Sequence, residues 1–208
     1  MADNKKVELI KGEIVEPIED SKNKKKKNIF TYIGIGAVAI LIVVIILVFI
    51  NISNAYKKPV KNLIKGMNRA STEILMEAVF PEDVVTYKHI DAKNNGISWE
   101  DYLKNNDNLI KSRLENMYFK KAKCKILAKE KISGSNFDKI HDFYMDKYDA
   151  EITKAYRLEV DMTFRTNSGS ETPSGWICVV KIKDENWKFC SEYSEKHFDF
   201  VDEALKFE

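Results

Sequence analysis

The amino-acid sequence predicts an α+β fold that follows a single transmembrane helix. Three observations predict it: an uncharged apolar run at residues 29–50, helix-period patterns early in the remaining chain, and strand-period patterns late in it. Helices followed by alternating strands are typical of helices packed on a curved antiparallel sheet. The predicted organisation is a tail at 1–28, a span at 29–50, a linker at 51–56 and a domain at 57–208.

The apolar run at 29–50 has the length and composition of a membrane span. It holds no charged residue, and 16 of its 22 positions are Ile, Leu, Val or Phe. As a helix it would extend about 33 Å, close to the ~30 Å of a bilayer's hydrocarbon core. A cleaved signal peptide and a buried core helix are the alternatives. The run is longer than the apolar region of a signal peptide, so the sequence favours an uncleaved anchor.

Lysines before the span set its predicted orientation. Lys24, Lys25, Lys26 and Lys27 lie directly before its N-terminal end, and the positive-inside rule places this end in the cytoplasm. The domain is then extracytoplasmic, anchored in the cell membrane, and the lipid bilayer is its first predicted partner. The tail alternates acidic and basic residues and has few large apolar side chains, which predicts disorder.

The charge of the rest of the chain is balanced. Residues 29–208 carry 26 basic and 26 acidic side chains. This balance disfavours nucleic-acid binding, which uses a basic face, although a count does not show whether the two signs are separated in space. The sequence contains no Gly-rich phosphate loop, serine nucleophile elbow or paired catalytic carboxylates, so neither catalytic residues nor a cofactor are predicted.

Four helices are predicted in the domain. Apolar residues at spacings of three and four indicate one long helix from about 57 to 80, which Pro81 ends. Ser98 and Asp101 form a capping-box pattern at the start of a second helix. A short helix is predicted at about 136–148, and another near the C-terminus at about 195–207.

Four strands are predicted between and after these helices. The clearest is 156–165, where apolar and polar residues alternate strictly, which indicates one face on a core and one in water. The others are 121–132, 176–183 and 187–191, separated by a loop at 167–175 and a turn at 184–186.

The last hairpin and the element order resemble a known family. The first helix ends in Phe80-Pro81, and the hairpin reads Val180-Lys181-Ile182-Lys183 and then Trp187-Lys188-Phe189. Over about 55–205 the chain resembles the nuclear transport factor 2-like superfamily, and within it the membrane-anchored extracytoplasmic members of Gram-positive bacteria. The resemblance implies a cone-shaped domain with a cavity between helices and sheet. The residues expected to line that cavity are Tyr144, Tyr156, Trp176 and Trp187.

The three cysteines all follow the span. Cys178 and Cys190 lie on the two arms of the last hairpin, and a turn centred on Asp184 would place them directly opposite each other. A cross-strand disulfide is one interpretation outside the cytoplasm, and unpaired cysteines are the other. No Cys-x-x-Cys pair occurs and the histidines are scattered, so no metal site is predicted.

Three functions are compatible with these features. The first is a non-enzymatic interaction or assembly module that binds other cell-envelope proteins or itself. The second is a small-molecule receptor that uses the cavity of the cone. The third is an isomerase or dehydratase, for which His141 is a candidate because it lies among apolar residues. The superfamily includes enzymes, carriers and assembly subunits, so the resemblance does not choose among them.

Overall fold

A computed structural model describes residues 40–47 and 53–207. The chain divides into two units, Met1–Phe49 and Ile50–Glu208. In the first unit, residues 40–47 form a helix (α1) whose eight apolar side chains are 45–68% exposed. The predicted tail, with its four-lysine run, and most of the predicted span lie outside the described residues. Within the described part, no helix is both long and apolar enough to cross a membrane.

The second unit is α+β, as predicted, with helices first and an antiparallel sheet after them. Its elements are a 3₁₀ turn at Ala55–Lys57, α2 (Lys58–Arg69), α3 (Thr72–Val79), α4 (Glu82–Asn94), α5 (Trp99–Asn116), β1 (Phe119–Ile132), α6 (Ser135–Tyr148), β2 (Ile152–Thr166), β3 (Ser170–Glu171), β4 (Ser174–Ile182), β5 (Trp187–Cys190) and α7 (Asp199–Ala204).

The strands form one sheet in the order β1-β2-β4-β5, with the short β3 paired to β2. All its pairings are antiparallel. A bulge between Ile126 and Ala128 shifts the alternation of β1 by one residue. As a result Lys129 reaches the helix-covered face, where its Nζ lies 4.4 Å from the centroid of the Tyr56 ring and 4.8 Å from that of Tyr156.

The main core lies between the sheet and helices α2, α3, α5 and α7. Its members are apolar side chains from all of these elements, among them Leu63, Leu75, Ile110, Leu158, Met162, Phe164, Ile177 and Val201. Helix α6 packs on the opposite face and forms a second cluster, which includes Ile140, Tyr144, Ala155, Cys178, Val180 and Cys190. The alternation predicted for 156–165 is confirmed, since Leu158, Val160, Met162 and Phe164 are buried and the polar residues between them are not. Helix α6 covers the opposite face of β2 just before that stretch, at Ala155.

The predicted long helix at 57–80 is two helices. Helix α2 ends at Arg69, its C-cap residue Ala70 adopts a left-handed conformation with φ of 48°, and α3 then turns back along α2. The reversal brings Lys58 of α2 within 3.2 Å of Glu77 of α3. A Cβ at Gly66 would lie 2.6 Å from Cγ of Leu75, so the missing side chain is what allows the close packing. The helical spacing of apolar residues continues from α2 into α3, so the sequence alone does not reveal the break between them.

Helix α4 is absent from the sequence prediction. It has one buried side chain, Ala92, while Tyr87 and Ile90 are 69% and 52% exposed. A helix with so little apolar burial has no amphipathic stripe to detect. The helix predicted to begin at Ser98 is confirmed as α5, and the Ser98 hydroxyl accepts a hydrogen bond from the Asp101 N–H at 3.0 Å.

Candidate interaction surface

Positive charge is concentrated on two neighbouring elements, α2 with its preceding turn and the strand β1. Together they carry eleven basic side chains and one acidic side chain, Glu130, whereas the remaining described residues of the domain carry 15 basic and 24 acidic ones. We call the eleven the basic surface: Lys57, Lys58, Lys61, Lys65, Arg69, Lys120, Lys121, Lys123, Lys125, Lys129 and Lys131. The balanced total charge therefore hides a separation of sign in space.

Most side chains of the basic surface form no ion pair, although Lys125 lies opposite Asp161 in the register of β1 and β2. Among the described residues, Lys58 is the one member that forms an ion pair, with Glu77. The single acidic residue, Glu130, is engaged elsewhere, since its carboxylate pairs with Arg157 at 2.5 Å. A cluster of like charges without counter-ions raises the local positive potential and attracts anionic partners.

A groove runs between α2 and β1 through this surface. It has a volume of about 340 Å³ and is lined by Lys57, Val60, Lys61, Ile64, Cys124 and Ile126. The two lysines stand on the helix side, and four less polar side chains form the rest of the wall. Burial, and then the nearby Asp161 carboxylate, raise the pKa of the Cys124 thiol to about 12. That thiol is therefore neutral at physiological pH.

The groove lies along the open edge of the sheet. β1 is the last strand on its side, so one row of its main-chain groups has no neighbouring strand. Asn68 of α2 occupies one position of this row: its Nδ2 donates to the Ala122 carbonyl oxygen at 2.9 Å, and its Oδ1 accepts from the Ala122 N–H at 2.6 Å. Main-chain groups two residues apart point the same way, so those of Cys124 and Ile126 also face the edge.

The opposite edge of the sheet is closed. Lys188 on the short β5 is 2% exposed, and its Nζ donates to the carbonyl oxygen of Glu77 in α3 at 3.3 Å. Glu185 lies 3.6 Å from the same Nζ and accepts the Glu82 N–H of α4 at 3.0 Å. Burial lowers the pKa of Lys188, although Glu185 opposes this change. These contacts attach β5 to two helices.

The four predicted cavity residues do not come together. Tyr144 is buried in the second cluster beneath α6. Tyr156 and Trp187 stack on the helix-covered face with ring centroids 5.1 Å apart, next to Tyr56. Tyr56 itself is buried, although it belongs to the segment predicted as a linker. These aromatics thus belong to the packed interior at the start of the domain.

Trp176 lies on the other side of the sheet and lines a pocket of about 390 Å³ beside α6. The Arg157 guanidinium stacks over its ring at 4.8 Å and pairs with the carboxylates of Glu130 and Glu195. With both carboxylates engaged, Arg157 is neutralised within its own pocket. The arrangement ties β1, β2 and the segment after β5 together.

The register of the last hairpin is confirmed, since Cys178 pairs with Cys190. Both are buried free thiols in the structure. Ser194 joins their main chains: its hydroxyl accepts the Cys178 N–H at 3.0 Å and donates to the Cys190 carbonyl oxygen at 2.7 Å. The hydrogen bond to Cys190, together with burial, raises the pKa of the Cys178 thiol. The disulfide stays a prediction.

Two further predictions concern chemistry. Within residues 40–47 and 53–207, no group of three or more His, Cys, Asp or Glu side chains is arranged to hold a metal ion. His141, the candidate for acid–base work, is near the surface, and its Nδ1 lies 3.5 Å from Oδ1 of the exposed Asp142. Among the residues that the structure describes, no buried carboxylate orients its ring in the way a general base requires.

Sequence reasoning missed the features that define this surface. The lysines of β1 are visible in the sequence, and so is the i, i+4 spacing of Lys57, Lys61 and Lys65. What the sequence does not show is that α2 and β1 are neighbours, because 49 residues separate Arg69 from Phe119. The role of Asn68 depends on the same long-range contact and leaves no local signal.

Comparison with known proteins adds no relative. No protein-family model matches the chain, and no curated protein or solved structure is significantly similar to it. The basic surface and its groove are therefore the features of the chain that bear on its function.

Proposed function

We propose that this chain is a single-pass membrane protein whose extracytoplasmic domain is a non-enzymatic interaction module for another protein of the cell envelope. The observation that carries the proposal is the basic surface. Unpaired lysines on one side of an otherwise acidic domain are typical of surfaces that steer and bind a partner of opposite charge. The nuclear transport factor 2-like fold belongs to the same proposal, and the order of helices before an antiparallel sheet supports it.

The membrane anchor is the second part of the proposal. It is supported by the charge-free sequence at 29–50 and by the exposure of the apolar side chains of α1. Eight consecutive large apolar side chains exposed to water would be unfavourable at about 25 cal/mol per Å² of apolar area. Insertion into a bilayer removes this free-energy cost, because the apolar side chains then contact lipid instead of water. Lys24–Lys27 support an N-terminus in the cytoplasm.

The orientation can be tested with engineered thiols. The native cysteines are poor reporters because Cys178 and Cys190 are buried and the Cys124 thiol is neutral. We suggest Ser168→Cys in the exposed loop and Ser21→Cys in the tail, each treated in intact cells with a membrane-impermeant maleimide. Labelling at 168 and not at 21 is expected. The reverse pattern would place the domain in the cytoplasm and end the proposal, and the unsubstituted chain measures background.

The interaction role can be tested by photo-crosslinking in cells that make the full-length protein. A photoreactive amino acid is placed at Lys61 in the groove or at Lys104, an exposed lysine of α5 outside the basic surface. The proposal predicts adducts of defined mass from position 61 that are lost when Lys57 and Lys65 are changed to Glu. Identical adducts from both positions, or none from position 61, would contradict it.

A further inference from the structure

We propose that the groove between α2 and β1 receives an extended acidic segment of a partner protein, which adds to the sheet as a strand beside β1. This inference deepens the proposed interaction role and rests on it. It assigns the recognised chemistry, a polypeptide with alternating acidic and apolar side chains. It also assigns the mode of binding, main-chain hydrogen bonding along the open edge.

The first support is the geometry of the open edge. Asn68 already shows what this edge accepts, since its amide donates one hydrogen bond and accepts another, as a neighbouring strand would. Cys124 and Ile126, the next alternate residues of β1 after Ala122, line the groove with their main-chain groups turned to it. An incoming strand would continue the pattern that Asn68 begins.

The second support is the composition of the groove wall. Val60 and Ile64 of α2 face Cys124 and Ile126 across the groove, so the side of a bound strand that faces the domain would be apolar. Lysines border this apolar floor on the helix, at Lys57, and project from the outer face of β1. Because side chains alternate along a strand, acidic residues on the other side of the segment would face these lysines.

The third support is the length of the groove. Asn68 closes one end at Ala122, and Lys129 closes the other by reaching over the Tyr56 ring. Six residues lie between Ala122 and Lys129 along β1, and the seven steps from one to the other rise roughly 23 Å at ~3.3 Å per residue. A segment of about six residues fits between the two ends.

A second copy of this chain is a poor occupant. Its own open edge carries the same lysines, and like charges directly opposite each other in a sheet are destabilising. Its other edge strand, β5, spans four residues and is attached to α3 through Lys188. Among the described elements, no acidic strand is free to add to β1.

A lipid surface or a phosphate polymer also fits less well. Phosphate oxygens would satisfy the lysines and could accept a main-chain N–H. They offer no donor for the carbonyl groups that alternate with those N–H groups along the edge. A polypeptide backbone supplies both, so the observations favour a protein segment.

The experiment uses the full-length protein in detergent micelles and a synthetic peptide of about seven residues in which Glu and Val alternate. Hydrogen exchange is measured with and without the peptide. Strand addition predicts slower exchange at the amides of Cys124 and Ile126, with no change at Cys178 in the interior. A peptide with Lys in place of Glu should bind at least tenfold more weakly, because it meets the basic surface with like charge.

The peptide itself provides the control for strand formation. A Glu–Val peptide with methylated amide nitrogens keeps its charge and its apolar groups but loses the hydrogen-bond donors. The proposal predicts at least tenfold weaker binding and no protection of the two amides. Equal binding by both peptides, without that protection, overturns strand addition and leaves an electrostatic interaction role intact.

Charge-reversal variants provide the matched control on the protein. Lys57→Glu/Lys61→Glu should lower the affinity for the Glu–Val peptide at least tenfold, whereas Lys93→Glu/Lys104→Glu, outside the basic surface, should change it less than about twofold. Circular dichroism confirms that both variants are folded. Failure of the peptide to bind, or binding only to vesicles rich in anionic lipid, overturns the inference. The crosslinks from position 61 then decide separately whether the interaction role also fails.

Discussion

The two edges of the sheet differ in length, charge and covering. The β5 edge has four residues, and Lys188 and Glu185 attach it to α3 and α4. The β1 edge has fourteen residues and borders the open groove. The Asn68 side chain bonds the main chain of this edge at one residue, Ala122. An edge strand can be protected from aggregation either by covering it or by placing lysines on it. The difference indicates that β1 is protected by charge instead of by covering, which leaves it available to a partner of opposite charge.

The largest expected effect concerns the thiol at the open edge. The pKa of Cys124 is raised to about 12, so at pH 8 its thiolate fraction should be about a thousandfold below that of an ordinary cysteine, and its alkylation should be correspondingly slow, although the higher nucleophilicity of its thiolate offsets part of the difference. The rate should rise tenfold per pH unit until the pH approaches the pKa. Maleimide kinetics between pH 7 and 10 measure this. A pH-independent rate would mean that reaction occurs only after local unfolding.

The closed side of the sheet can be strengthened by oxidation. Diamide or oxidised glutathione should join Cys178 and Cys190, which face each other in the register of β4 and β5. The disulfide should raise the free energy of unfolding by about 3 kcal/mol, mainly by restricting the unfolded chain. Peptide mapping under non-reducing conditions identifies the bond, and Cys124→Ser removes the competing thiol. A disulfide that forms only in denaturant would show that the packing opposes it.

The next largest effect on stability is expected from weakening the contacts that attach β5 to α3 and α4. Glu185→Gln leaves the buried Lys188 without its nearest carboxylate, and we expect a loss of about 1–3 kcal/mol in the free energy of unfolding. Chemical denaturation measures the change. The control is Glu171→Gln on the exposed β3, which should change stability by less than about 0.5 kcal/mol. Equal effects from both variants would mean that Lys188 is satisfied without Glu185.

The smallest expected effect comes from a substitution that uncovers one more residue of the open edge. Asn68→Ala removes the amide that bonds Ala122, and the lost hydrogen bonds should cost about 1 kcal/mol of stability. The same change lengthens the groove by one strand position. Denaturation and hydrogen exchange at Ala122 report the two consequences. A faster-exchanging Ala122 amide with unchanged exchange at Phe164 would confirm that the effect stays at the edge.

Local patterns predicted most of the elements, and long-range contacts decided the rest. The alternation in β2, the capping box at Ser98 and the hairpin pairing of Cys178 with Cys190 each depend on residues close in sequence, and each is confirmed. The break at Ala70 was missed because α3 continues the periodicity of α2. The groove was missed because it needs α2 and β1 side by side. The Asn68 contact joins residues 54 apart, for which no spacing rule exists.

Helix α4 gives this domain a region of low local stability. Thirteen residues form it, yet Ala92 is its one buried side chain, so its folding contributes little to the core. Its hydrogen bonds should therefore open many times for each global unfolding, and proteases would cut here first. A chain nicked within α4 would keep its sheet and both clusters. Sequence changes in this segment, including insertions, would be tolerated far better than elsewhere, so α4 is the place to attach a fluorophore or an epitope without disturbing the groove.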